Sequence, residues 1–214
     1  VLQGLPLQTQ TPAGDPSDIT NVVLIGTREA VDAAFIEAGW TEAAKLGTTS
    51  GIKTFLATIH NKGYEEAPVS TLLLDGRKPD VVYQKQNNTF SKRHHVRLWQ
   101  QSSTPGGRPV WVGSATHDIG IASTSGGTKW YHRIDPRIDR ERAKIATDLS
   151  FAGAVTGRAL AEREDLPRDL RNATGDRLET DGRILVLELA EPKEGVAAGN
   201  LPAILADVSA AGGR

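Results

Sequence analysis

"PVWVGSATHDIGIASTSGGTKWYHRID", residues 109–135, decides the fold class of this 214-residue chain. Two β-rich runs, 109–123 and 128–135, flank the short Ser/Gly stretch STSGG and read as adjacent antiparallel strands joined by a hairpin turn. The turn sets the register. With Thr124-Ser125 at its centre, His117 lies opposite His132; with Gly126-Gly127, the pair suited to a type I′ turn, His117 lies opposite Pro136. Either way both histidines fall at one end of the hairpin, together with Asp118, Asp135 and Asp139.

Upstream, strand signals recur at 69–76 (VSTLLLDG), 79–86 (PDVVYQKQ) and 94–101 (HHVRLWQQ), and the turn-rich STPGGR leads into the hairpin, as in an antiparallel meander. NVVLIG (21–26) is a further short strand. Thr27 is placed to cap a first helix in which Val31, Ala34, Phe35 and Ala38 share a face, with Gly39 as its stop. A second helix, Ser50 to Asn61, repeats the spacing with Ile52, Phe55, Leu56 and Ile59. Asp135-Pro136 starts a third, with Ile138, Ile145 and Leu149 on one face. Residues 157–179 are polar and Arg-rich, and 180–192 supply a last strand. The expected fold is α+β: a mostly antiparallel sheet of about five to six strands with three helices packed on it. Residues 21–192 form its single domain, behind an extended N-terminal arm (1–20, three prolines) and ahead of a loosely held C-terminal tail (193–214).

A chain of this length can bury about 70% of its unfolded surface and needs no staples. With 25 basic and 26 acidic side chains the net charge is −1, so no global field draws it to nucleic acid or an anionic membrane. The absence of cysteine excludes disulfides, thiolate nucleophiles and iron–sulfur clusters, leaving histidines and carboxylates as metal ligands. The absence of methionine reads as a processed form or an excised segment. No apolar run approaches the roughly 18 residues of a membrane span. Walker loop, GxGxxG, GxSxG and HExxH are all missing.

Four of the five histidines lie between His94 and His132. Strand alternation in KRHHVRLW (92–99) puts His94, Val96 and Leu98 on a core face, and Arg93, His95, Arg97 and Trp99 on a face turned to solvent, a groove or a ligand. Three readings stand side by side. His95, His117 and His132, with Asp118, Asp135 or water, can form a divalent site for zinc or another His-ligated transition metal. Arg93, Arg97, Arg133 and Arg137, beside the N-terminus of the third helix, can bind phosphate or carboxylate. Or the histidines simply pair with nearby aspartates and arginines. RIDRERAK, with Asp139 and Glu141, reads as a solvated helical charge ladder.

In order, NVVLIGT, EAGW, YEEAPVSTLLLDGRKPDVVYQK, RHHVRLW, PVWVGSATHD, HRIDPRIDRER and TDGRILVLEL resemble the LssY C-terminal domain family over Asn21 to Leu189. The motif positions are Arg93, His94, His95, Arg97, Trp99, His117, Asp118, His132, Asp135, Asp139 and Arg142. Members are often attached to membrane-embedded phosphatidic acid phosphatase-type segments. The resemblance therefore implies envelope or lipid-phosphate chemistry and, with the lack of cysteine, an envelope-associated or exported location. It assigns no catalytic role. Two functions are expected. One is a metal-assisted hydrolase of a phosphate or other anionic ester, in which Arg97 neutralises developing charge and Asp118 or Asp135 orients a histidine or accepts a proton. The other is a non-catalytic sensor or accessory domain that binds a small anionic ligand, a lipid headgroup or a protein partner.

Overall fold

The computed structural model describes residues 4–43, 72–86, 93–101, 107–123, 130–163, 166–167 and 169–192. At its centre is β3 (Val22–Ile25), whose Val22, Val23 and Leu24 are fully buried because both faces of the strand are covered. Thr27 then caps α1 (Arg28–Glu37), its hydroxyl accepting the Ala30 N–H at 3.1 Å. Gly39, at φ 78°, turns the chain out of that helix. Then come β4 (Thr41–Glu42), β5 (Val81–Gln86), β6 (Arg93–Gln101), β7 (Val110–Ser123) and β8 (Trp130–Ile134). After α2 (Ile138–Phe151) the chain closes with β9 (Val155–Glu162) and β10 (Arg183–Leu189).

These strands form one eight-stranded sheet in the order β4-β5-β6-β7-β3-β10-β9, with β8 attached to β7. The sheet is mixed because β10 lies parallel to β3, Leu185 beside Val22; the other pairings are antiparallel. Along one edge of β7 the carbonyls of Gly113 and His117 accept from Asn21 and Asp135, so β3 and β8 follow one another on the same edge. The Asn21 side chain fills the gap between them. Its Nδ2 donates to the Ala115 carbonyl and its Oδ1 accepts the Ala115 N–H, both at 2.9 Å.

Both helices pack on one face, over Val22, Leu24, Val96, Leu98, Trp111, Leu185 and Leu187. The other face carries Val23, Trp99, Val112 and Ile184 and is covered by Leu5 and Leu74. The same side holds an antiparallel ribbon, β1 (Gln8–Gln10) with β2 (Pro16–Ile19), in which Gln10 donates one 2.8 Å backbone bond to Leu73 and accepts another from it. Among the described residues no helix is long and apolar enough to cross a membrane.

The expected sheet of five to six strands with three helices is therefore corrected to eight strands in a mixed sheet, with two helices among the described residues. The helix expected at Ser50–Asn61 lies outside the described residues. β9 falls mostly within the stretch noted only as polar and Arg-rich from residue 157, because at the sheet margin VTGRALAE buries little on either face. The arm read over 1–20 is extended, but residues 8–19 pair and pack, and Thr9, Ser17 and Asp18 are buried. β7 and β8 form the expected antiparallel pair, in a register close to the Gly-Gly alternative: Ile121, not His117, faces His132. α2 begins at Ile138 rather than Pro136, because Asp135 Oδ1 accepts the Arg137 N–H at 3.0 Å in a turn that precedes the helix.

Candidate functional site

In the β6–β7 ladder His94 faces His117, His95 faces Thr116 and Arg97 faces Ser114. Alternation then sends two sets of polar side chains to opposite sides of the sheet.

On the ribbon side, Asp18, Arg93, His95, Arg97, Ser114, Thr116 and Asp118 are all buried. His95 Nε2 lies 2.9 Å from Asp118 Oδ2. An ionised Asp118 accepts only, so His95 Nε2 is the donor in this contact and Nδ1 is the ring nitrogen turned away from Asp118. Arg97 Nη1 stands 3.7 Å from Asp18 Oδ2, an ion pair too long to be a hydrogen bond. Among the described residues neither Arg97 Nη1 nor Ser114 Oγ has a hydrogen-bond partner, although both are buried. Burial pushes the Asp18 carboxyl above its ordinary range; Arg97 and His95 oppose the rise and Asp118 adds to it. Burial likewise pulls the Arg93 guanidinium down, against the Asp118 carboxylate.

On the helix side, His94 Nδ1 lies 2.7 Å from Glu141 Oε2, and the His94 and His117 rings stack with centroids 4.2 Å apart. Burial raises the Glu141 carboxyl, against the hydrogen bond to His94. Beside it Asp148 accepts from Trp40 Nε1 (2.9 Å), Lys85 (3.0 Å) and Lys144 (2.9 Å). Burial pushes Asp148 up, but the bonds from Lys144 and Lys85 outweigh it and hold the carboxyl below its ordinary range.

The residues expected to act together are thus divided. His95 and His117 stand on opposite faces of the sheet, and the backbone of His132 lies opposite Ile121. Among the described residues no group of three or more His, Asp or Glu side chains is placed to hold a metal ion. Of the four arginines, Arg93 and Arg97 meet in the buried cluster, while Arg133 and Arg137 are half-exposed beside Asp176 and Asp135. Asp135 is held below its ordinary range: burial raises it, but the backbone and side chain of Arg137 outweigh that. Asp139 accepts from Thr180 Oγ1 and the Asp181 N–H, and Arg142 grips Asp181 with two 2.8 Å bonds, so these two motif residues fix the loop before β10. Trp99 packs in the ribbon-side core.

Asp18 and Glu141 were missed as site residues. Asp18 sits in a Pro-punctuated segment that gave no periodic signal. Glu141 did carry one, since it shares the helical stripe of Ile138, Ile145 and Leu149 and could not belong to a solvated ladder.

Fold and clusters together define a mixed-sheet domain with a buried, histidine-bearing ionic cluster on each face. The chain belongs to the LssY C-terminus family, whose model matches residues 2–184. No curated protein and no solved structure matches it.

Proposed function

We propose that this domain binds a phosphate or similar anionic group, from a small ligand or a lipid headgroup, in the ribbon-side cluster. The observation that carries the reading is the pair Arg97 Nη1 and Ser114 Oγ: two buried donors on directly opposed residues, without hydrogen-bond partners among the described residues. Leaving such donors unsatisfied costs about 1–3 kcal/mol each, and an oxyanion satisfies both. Asp18 acts as the internal stand-in. Its carboxyl stands at a long ion-pair distance from Arg97, and burial makes its charge costly to hold, so an incoming oxyanion competes with it for Arg97. The envelope and lipid-phosphate setting implied by the family resemblance makes phosphatidic acid the first headgroup to try.

The test is calorimetric titration and thermal melting with inorganic phosphate, then with vesicles carrying phosphatidic acid or phosphatidylcholine alone. Anion should raise the melting temperature of the wild type, by an amount equivalent to about 2.7 kcal/mol at a hundred times Kd. Arg97→Lys keeps the charge but loses the planar fork, and should lose most of that response. Equal binding by both proteins would remove Arg97 from the site.

A second reading, favoured by the 2.9 Å contact between His95 and Asp118, is hydrolysis of an anionic ester. Asp118 orients His95, His95 Nδ1 takes a proton from the attacking water as it bonds to phosphorus, Arg93 and Arg97 hold the phosphoryl oxygens, and the ester P–O bond breaks with that proton passed to the departing alkoxide. Metal assistance belongs to the same reading. Elemental analysis of the purified protein, and turnover of a phosphate monoester with and without added zinc, separate it from binding alone; His95→Ala should abolish any turnover.

A further inference from the structure

Strand β9 ends the sheet, and among the described residues nothing pairs with its outer edge. Arg163 donates its N–H to Gly182, in register with the β9–β10 ladder, so odd-numbered residues of β9 turn their backbone groups toward β10. Leu185, which faces Leu160, agrees: its own N–H goes the other way, to Asn21. The N–H and C=O groups of Arg158, Leu160 and Glu162 therefore point outward, away from β10.

The side chains on this margin are self-complementary. Arg158-Ala159-Leu160-Ala161-Glu162 reads as charge, small, apolar, small, opposite charge, and Arg158, Leu160 and Glu162 are all exposed. Leu160, 41% exposed, is unusually open for a leucine in a strand. Phe151, the last residue of α2 and shortly ahead of β9 in the chain, is a second exposed apolar side chain, at 95%.

We propose that β9 pairs antiparallel with β9 of a second copy of this chain, about a two-fold axis through Leu160. That axis sets Leu160 against its own mate and Arg158 against the mate's Glu162, twice by symmetry, with two backbone bonds in each of those pairs. Moving the axis to Arg158 or to Glu162 would oppose like charges, so the charges select this register as well as the partner. Two sheets join edge to edge, and the ribbon-side cluster lies outside the contact.

Sedimentation equilibrium of the whole chain, from micromolar to submillimolar concentration, tests the proposal. The wild type should pass from monomer to dimer in that range. Arg158→Glu alone and Glu162→Arg alone should each weaken the dimer roughly tenfold or more, because like charges then face one another twice. The double variant R158E/E162R restores opposite charges and should dimerise like the wild type. Both positions are exposed, so at concentrations where the wild type is monomeric all variants should share its melting temperature. A wild type that stays monomeric throughout overturns the proposal. So does a single variant that dimerises unchanged, or a double variant that melts normally yet stays monomeric.

Discussion

His94 and Glu141 depend on one another inside the helix-side core, and removing either partner leaves a polar group where water does not reach. His94→Ala should cost about 3 kcal/mol, measured by urea unfolding, because the carboxyl it bonds is 3% exposed. The response to phosphate should survive, since that cluster lies across the sheet. Glu141 also gives stability a pH dependence of defined sign. Burial raises its carboxyl, so the folded chain keeps the proton to higher pH than the unfolded one. That contribution is complete below the unfolded value of about 4.3 and is lost as pH rises through the folded value. Glu141→Gln removes the titration while leaving an amide within reach of His94. The stability of the variant relative to the wild type should therefore grow from acid to neutral pH. A constant difference across that range would mean that Glu141 titrates alike in both states.

Strands β6 and β7 approach so closely at Gly113 that a Cβ there would lie 2.7 Å from Leu98 Cδ2. Leu98 is itself fully buried, so Gly113→Ala should cost about 1–3 kcal/mol in a thermal melt; a neutral result would show that Leu98 can turn aside. Asn21→Ala removes two bonds to Ala115 and should cost about 2–4 kcal/mol. At this scale the sequence was legible wherever a periodic signal met a strong boundary. Thr27 before α1, alternation along Arg93 to Trp99, and the antiparallel pairing of β7 with β8 were all readable. β9 was not, because an exposed edge strand has no buried face to impose alternation. The hairpin register was ambiguous because two turns of equal length in residues competed within STSGG, and only tertiary context decides between them.

For the whole molecule, the N-terminal ribbon is a structural cover and not an appendage. Deleting residues 1–19 should bare Trp99, Val112 and the Arg97 cluster, producing ANS binding and a broadened melt. A sharp, unchanged melt would show that the sheet needs no cover there. The partition of the candidate site between two faces could not be read from residue types, because a histidine opposite another histidine looks the same in sequence as one opposite threonine. What decided it was the pairing of β6 with β7, a contact between residues about twenty positions apart. Asn21 carries a last consequence. The Ala115 amide is held by a side chain, and Asn21 and Ala115 are both buried, so it meets solvent deuterium only when the chain around Asn21 loosens. Asn21 follows directly on the ribbon that carries Asp18. The exchange rate at Ala115 is accordingly a one-residue gauge of how often that cover loosens, readable in the intact protein before any ligand is known.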